Sequence, residues 1–340
     1  MIRIEENISL KYLNTFGIRA KARYFTEVSS EEELQELIQQ PAYRNNKHLI
    51  LGGGSNILFT RDFDGLIIKS SLRGIKVISQ TNDTVLIEVA SGEIWHDLVL
   101  YCITNNYGGI ENLSLIPGTS GASPIQNIGA YGVEIKDVIT NVHAIDLITT
   151  MKRSFTNADC HFGYRESIFK HDLKDKYFIS SITLRLTKNN HSLTTQYGAI
   201  QDVLKQYNIE HPTIKNISDV VIAIRQSKLP DPRVIGNAGS FFKNPTIPIT
   251  LYKSIKKDHP SIPSYPFDNQ NVKVPAGWLI EQCGWKGKRI GDIGVHPQQA
   301  LVLVNYGDGN GNEIFELAMN IQSSVVEKFN VKLSTEVNII

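Results

Sequence analysis

The segment Gly236-Asn-Ala-Gly-Ser-Phe-Phe-Lys-Asn-Pro245 sets one hydroxyl, Ser240, directly after a glycine and ahead of two aromatics, a lysine and an asparagine. Gly236 and Gly239 permit backbone geometries closed to other residues and let main chain approach a ligand closely. Phe241 and Phe242 can exclude water from one side, while Lys243 and Asn244 add donors, so Ser240 is placed for proton transfer. A serine that merely caps a turn would have the same local surroundings. Upstream, Lys228-Leu-Pro-Asp-Pro232 should stop a helix, because the residue before a proline avoids the helical region, and this leaves Lys228 at the helix end.

Two glycine-rich loops in the first half suggest a large anionic cofactor. Gly52, Gly53, Gly54, Ser55 and Asn56 follow the apolar run His48-Leu-Ile-Leu51, as a phosphate-cradling loop should, since clustered backbone N–H groups form an anion nest. That loop lacks the third glycine of the dinucleotide fingerprint and the Gly-Lys-Ser/Thr of a P-loop. The second loop, 114–132, contains four glycines and two prolines among isoleucines and a tyrosine, which flexible linkers lack. Small residues there would let a flat ring and a pyrophosphate lie against backbone. A purely structural loop is the alternative.

The elements that must position these residues are mixed. Ser30 and Glu33 form a capping-box pattern ahead of Leu34, Leu37 and Ile38, which predicts a helix over 30–38. Residues 48–51, 67–68, 85–89, 142–147 and 179–186 read as strands, several with alternating polarity. Helices are expected over 94–106, ending before Gly108-Gly109, over 217–225, and over 312–329 with Ile314, Leu317, Ala318, Ile321 and Val325 on one face. Strands dominate the middle and helices punctuate them, so the class is α+β and not a regular βαβ array.

Composition bounds the function. A chain of 340 residues with 41% hydrophobic content can bury a large core in two or three domains. A formal net charge of +1 without charged blocks argues against nucleic acid or a membrane surface as partner, while allowing a local cluster for an anionic metabolite. The amino terminus lacks a signal-peptide core and no apolar run approaches the roughly 20 residues that span a bilayer, so a cytoplasmic protein is expected. Cys102, Cys160 and Cys283 form neither a disulfide framework nor a zinc spacing, and the nine histidines show no metal-ligand pairing, so no metal is expected.

Taken in order, Leu51-Gly-Gly-Gly-Ser-Asn56, Ile116-Pro-Gly-Thr-Ser-Gly-Ala-Ser-Pro-Ile-Gln-Asn-Ile-Gly-Ala-Tyr-Gly132, Phe162-Gly-Tyr-Arg-Glu-Ser167, Gly236 to Pro245 and Pro275-Ala-Gly-Trp-Leu-Ile-Glu-Gln-Cys-Gly284 resemble the UDP-N-acetylenolpyruvoylglucosamine reductases. The match runs from Asn14-Thr-Phe-Gly17 to Ser334-Thr-Glu-Val337. The resemblance implies an FAD enzyme of peptidoglycan precursor synthesis, with NADPH as co-substrate and a UDP-sugar as substrate. It implies a two-subdomain FAD-binding fold similar to the vanillyl-alcohol oxidase flavoproteins (1–70 and 71–225) and a third, α+β substrate-binding domain (226–333), with 334–340 returning towards the active site. A monomer is expected.

Carried over residue by residue, Arg165, Glu336 and Ser240 match the family's catalytic positions. Gly52, Gly53, Gly54, Ser55, Asn56, Pro117, Gly118, Gly121, Ala122, Ser123, Ile125, Gly129 and Tyr131 would hold FAD. Tyr197, Lys228, Asn244, Tyr265, Lys273 and Gln299 would contact the UDP-sugar, and the Tyr197 and Tyr265 segments indicate the longer type, in which a tyrosine loop closes over substrate. Arg165 could clamp the substrate carboxylate bidentately, and Glu336, if protonated, could share its proton with an enolic intermediate. On its own the Arg165-Glu166 pair reads equally as a surface ion pair. Two departures stand out: Asn338 occupies a position where family members often carry arginine, and the prefix Leu51-Gly-Gly-Gly uses glycine where others place a different small or acidic residue. Other readings are a flavin oxidase of the same fold or a non-redox nucleotide-sugar-binding protein. A serine hydrolase is excluded, because Ala238 stands where the Gly-x-Ser-x-Gly elbow needs glycine.

Overall fold

The computed structural model describes residues 2–340. They form two compact units: one comprises the chain up to Ile8 with Ala22–Gly53 and Asp64–Ser227, the other Ser9–Lys21, Gly54–Phe63 and Lys228–Ile340. Two short amino-terminal segments thus belong with the carboxyl-terminal third, so the chain passes from one unit to the other between Gly53 and Gly54, inside the first glycine loop.

The first unit holds two large sheets and the two-stranded pair Gly129–Ala130 with Val133–Glu134. One has the order Glu5–Ser9, Lys21–Val28, Phe63–Ser70, His48–Leu51, the last two strands being parallel. The helix Glu31–Gln39 packs Leu34, Leu37 and Ile38 against this sheet in a core with Val28, Leu66 and Ile68. Ser30 accepts from the Glu33 amide as expected, but the Glu33 carboxylate accepts from the amide and hydroxyl of Ser29, so the reciprocal arm of the box lands one residue early.

The other sheet is antiparallel, ordered Lys152–Thr156, Ile139–Asp146, Tyr177–Thr187, Thr84–Ala90, Ile75–Gln80. Thr84–Ala90 alternates, with Val85, Ile87 and Val89 buried, whereas the central strand Tyr177–Thr187 is buried along most of its length. A half-covered strand must alternate and a doubly covered one need not. The helix Trp95–Thr104 covers this sheet with Trp95, Leu98, Val99 and Cys102. It ends through Asn106 in the left-handed region (φ 58), ahead of the glycines expected to stop it. Gly198–Gln206 and Ile214–Lys228 form a third cluster around Ile200, Ile217, Val221 and Ile224. The second of these helices is longer than the 217–225 expected at both ends and stops at Lys228, ahead of Pro230.

The second unit contains the antiparallel sheet Gly236–Ser240, Val302–Asn305, Ile293–Val295, Arg289–Ile290 and a small sheet Thr246–Pro248, Asn271–Lys273, Tyr265–Pro266. Its longest helix, Gly311–Phe329, starts with a full capping box at Asn310 and Glu313 and buries Ile314, Leu317, Ala318, Ile321 and Val325, the face read from the sequence. Among the described residues no helix is long and apolar enough to cross a membrane.

Candidate active site

The serine segment is a strand, not the turn its composition suggests. Gly236 and Asn237 pair with Asn305 and Val304, the register then slips, and Ser240 pairs with Val302. The slip is a bulge built by Gly239, whose φ of 69° is disfavoured for any residue with a Cβ, and by the buried Asn237. Asn237 Oδ1 accepts from the Gly239 amide (3.0 Å), and its Nδ2 donates to the carbonyls of Pro230 (3.1 Å) and Ile235 (2.8 Å). The bulge re-aims the half-buried Ser240 while Phe241 and Phe242 stay fully packed.

Beyond the serine the same segment meets the carboxyl-terminal residues. The Glu336 amide donates to Phe241 O (2.8 Å), Phe242 bridges Thr335, and the Lys243 amide donates to Ser334 O (2.9 Å). Glu336 is thereby fixed within one ladder step of Ser240, although 96 residues separate them (336 − 240). It is half-buried, not the solvated charge that its polar neighbourhood suggests. Asn56 Nδ2 donates to Glu336 O (3.2 Å), and Asn338 donates to Asn56 O through its amide (3.1 Å) and its Nδ2 (2.9 Å). Asn338 therefore ties the first glycine loop to the carboxyl terminus within this unit.

The other predicted substrate residues of this unit have definite places. Asn244 Oδ1 accepts from the amide of Ala276 (2.9 Å) at the start of the helix Ala276–Gln282. Gln299 Oε1 lies near the same helix turn, 3.3 Å from where a Cβ on Gly277 would stand. Tyr265 and Lys273 face each other across two paired strands. Lys228 is exposed at its helix end.

In the first unit the glycine loops touch backbone to backbone. A Cβ on Gly53 would stand 2.8 Å from Gly118 Cα, and one on Gly52 would stand 2.7 Å from Thr119 Oγ1, so only glycines allow this approach. The second loop is stitched to the start of the helix Trp95–Thr104: the Trp95 amide donates to Gly118 O (3.0 Å), Trp95 Nε1 to Leu113 O (3.0 Å), and the Leu115 amide to His96 Nδ1 (3.0 Å). Further on, the Gly121 amide donates to Ser91 O (2.9 Å), Ser123 Oγ to Ser120 O (2.5 Å), and Ser167 Oγ to Ile125 O (2.7 Å). Pro117 and Ala122 lie within this scaffold on either side of Gly118 and Gly121. Two amide-rich glycine turns held by a rigid frame suit the pyrophosphate and flat ring of FAD.

Arg165 is tied to this loop. Its Nη2 donates to Gly129 O (2.5 Å), its Nη1 reaches Asn127 O (3.4 Å) and Glu134 Oε1 (4.0 Å), and its side chain is 18% exposed. Glu166 pairs with His171. Leu115, Asn127, Tyr131 and Arg165 all have positive φ without being glycine, a concentration of strain of the kind that marks functional backbone. Tyr131 packs edge-on against the half-exposed Tyr197 (5.3 Å between centroids).

Three side chains of this region were given no role by the sequence reading. The buried Asn127 fixes the loop through Lys136, Glu134 and Gly163. His96 accepts from Leu115, and burial pushes its imidazole below the usual range. Arg225 lies against Tyr131, with its Nε sealed from solvent and unpartnered. A signal for Arg225 exists in the helix register, two turns after Ser218, whose hydroxyl meets Ser114 of the loop (2.8 Å).

This architecture of glycine loops on two sheets defines a class, the FAD-binding flavoproteins: residues 22–151 match the model described as "FAD binding domain". The p-cresol methylhydroxylase structure shares the fold, with a TM-score of 0.50 at 11% identity over 96% of this chain and 83% of that one. Residues 231–340 match the model "UDP-N-acetylenolpyruvoylglucosamine reductase, C-terminal domain". The UDP-N-acetylenolpyruvylglucosamine reductase of Thermus caldophilus is similar throughout, with a TM-score of 0.69 at 20% identity, covering 100% of this chain and 99% of that one. UDP-N-acetylenolpyruvoylglucosamine reductases of Flavobacterium johnsoniae and Amoebophilus asiaticus are 52% and 50% identical, covering 100% and 99% of both chains. The chain belongs to the UDP-N-acetylenolpyruvoylglucosamine reductase family.

Proposed function

We propose that the protein reduces the enolpyruvyl group of UDP-N-acetylglucosamine enolpyruvate to the lactyl ether of UDP-N-acetylmuramate, with NADPH as the source of hydride. FAD, when bound by the two glycine loops, supplies the two-electron chemistry that accepts this hydride and passes it on. The observation that carries the reading is the ladder that fixes Glu336 beside Ser240, in a chain whose other unit has the FAD-binding fold.

Ser240 is a weak acid and protonates only a strongly basic partner, such as the carbon left beside the carboxylate after hydride reaches the vinyl terminus. Glu336, held next to it, steadies the enolic intermediate by hydrogen bonding. Arg165 has its guanidinium oriented by two loop carbonyls and offers its remaining N–H groups to the carboxylate. Lys228 and Lys273 supply cations for the diphosphate, with Asn244, Tyr265 and Gln299 as further contacts. Tyr197, on an exposed helix start, acts as the closing tyrosine. In this reading 1–70 and 71–225, which divide the two large sheets of the first unit, are FAD-binding subdomains and 226–333 binds substrate. The enzyme works as a cytoplasmic monomer.

The test is product identity. Protein purified with FAD and given NADPH and the enolpyruvyl sugar nucleotide should yield stoichiometric NADP+ and the lactyl ether. NADPH oxidation matched by oxygen consumption, with the enolpyruvyl ether intact, would favour the oxidase alternative.

A further inference from the structure

The helix Ile214–Lys228 brings an uncompensated cation to the cofactor loop. Ser218 anchors this helix to the loop through Ser114 Oγ at 2.8 Å, and Arg225, seven residues on, points from the same face. The groups around Arg225 are the Tyr131 hydroxyl, the Arg165 guanidinium and the His96 imidazole. None of them is a carboxylate, and Arg225 forms no ion pair among the described residues. Its Nε has neither an acceptor nor solvent.

A half-buried guanidinium whose Nε is sealed from water, beside a second guanidinium and without a counter-ion, lowers stability unless an anion completes the site. Burial and the neighbouring Arg165 both act against its charge, and Tyr131 only partly offsets them. His96 has its Nδ1 occupied as an acceptor for the Leu115 amide, and burial, the largest influence, pushes its imidazole below the usual range, with Asp97 pulling the other way and Arg225 adding a smaller downward push. Of the two guanidinium groups, Arg165 has the Glu134 carboxylate at 4.0 Å, whereas no ion pair reaches Arg225 among the described residues. Arg165 is directed by Gly129 and Asn127, whereas Arg225 has no orienting carbonyl or carboxylate.

We propose that Arg225 is a further cofactor-site residue, whose charge stabilises the negative charge that FAD gains with a hydride, leaving Arg165 for the substrate carboxylate. This rests on the reductase reading above. A hydride brings two electrons and one proton to the cofactor, so one unit of negative charge appears there, and a nearby fixed cation favours the reduced form over the oxidised one.

The experiment is an equilibrium redox titration of the FAD-bound protein, performed with a reference dye and no NADPH or sugar nucleotide. In Arg225→Met the reduced cofactor should bind at least tenfold less well relative to the oxidised form, which lowers the midpoint potential by about 30 mV or more. Arg225→Lys should stay close to wild type. A second measurement needs no variant: if the wild-type site holds the anionic reduced form, its potential moves by about 30 mV per tenfold change in proton activity from pH 6 to 8, one proton per two electrons. An unshifted Arg225→Met potential, or a two-proton slope in the wild type, overturns the role. Wild-type protein that holds FAD but is not reduced by NADPH refutes the reductase reading and leaves these titrations decisive for Arg225.

Discussion

Ser240 lies half-buried at the end of a bulged strand, and in the proposed reaction it is a late acid, needed only after hydride transfer to the substrate. Ser240→Ala should bind FAD and be reduced by NADPH at near the wild-type rate, while reoxidation by the enolpyruvyl substrate slows by about 10²–10⁴-fold. Stopped-flow measurement of the two half-reactions checks this, and equal slowing of both would assign the serine to folding or cofactor binding. At this scale the sequence was uneven. Ser240, Arg165 and Glu336 were singled out through their motifs, but what each touches was not readable. The Arg165-Glu166 adjacency gave no hint that Arg165 takes a positive φ and turns into the loop carbonyls of Asn127 and Gly129. Arg225 and His96 stayed hidden, since each lies in an ordinary amphipathic helix and acquires meaning only when the second loop folds back on it.

Among the elements, long periodic ones were the readable ones. The apolar faces of Glu31–Gln39 and Gly311–Phe329 are set by helix spacing and their starts by side-chain caps, both local properties. The strand Gly236–Ser240 was not readable, because glycine, asparagine and alanine favour turns and only pairing with Val302–Asn305 extends them. Its bulge depends on Asn237. Asn237→Ala removes the acceptor of the Gly239 amide and the donor to Pro230 and Ile235, leaving buried backbone groups unpaired at about 1–3 kcal/mol. Denaturant unfolding should show that loss, and substrate-driven reoxidation should fall more than reduction by NADPH, because Ser240 loses its register. A variant with lower stability but an unchanged ratio of half-reaction rates would show that the bulge does not aim the hydroxyl.

Over the whole molecule, the return of residues 334–336 to 241–243 was expected only through the family resemblance, and the grouping of residues 9–21 and 54–63 with the carboxyl-terminal third lay beyond sequence reading. Both are long-range pairings with no local signature. A global pH response follows from burial. His48, His96 and His296 are each held below the usual imidazole range, chiefly by desolvation. The unfolded chain then binds more protons than the folded one between those lowered values and about 6.5, so stability is complete above pH 6.5 and declines as pH falls through that window. Urea unfolding from pH 5 to 8 should show this decline, shallower in His96→Asn, and a stability that rises on acidification would contradict it. The central claim is that one chain couples NADPH to an enolpyruvyl ether through FAD, and anaerobic absorbance spectroscopy tests it most directly. NADPH should bleach the flavin band, and the enolpyruvyl sugar nucleotide should restore it without oxygen. A band that NADPH leaves unchanged, or that only oxygen restores, would contradict the account.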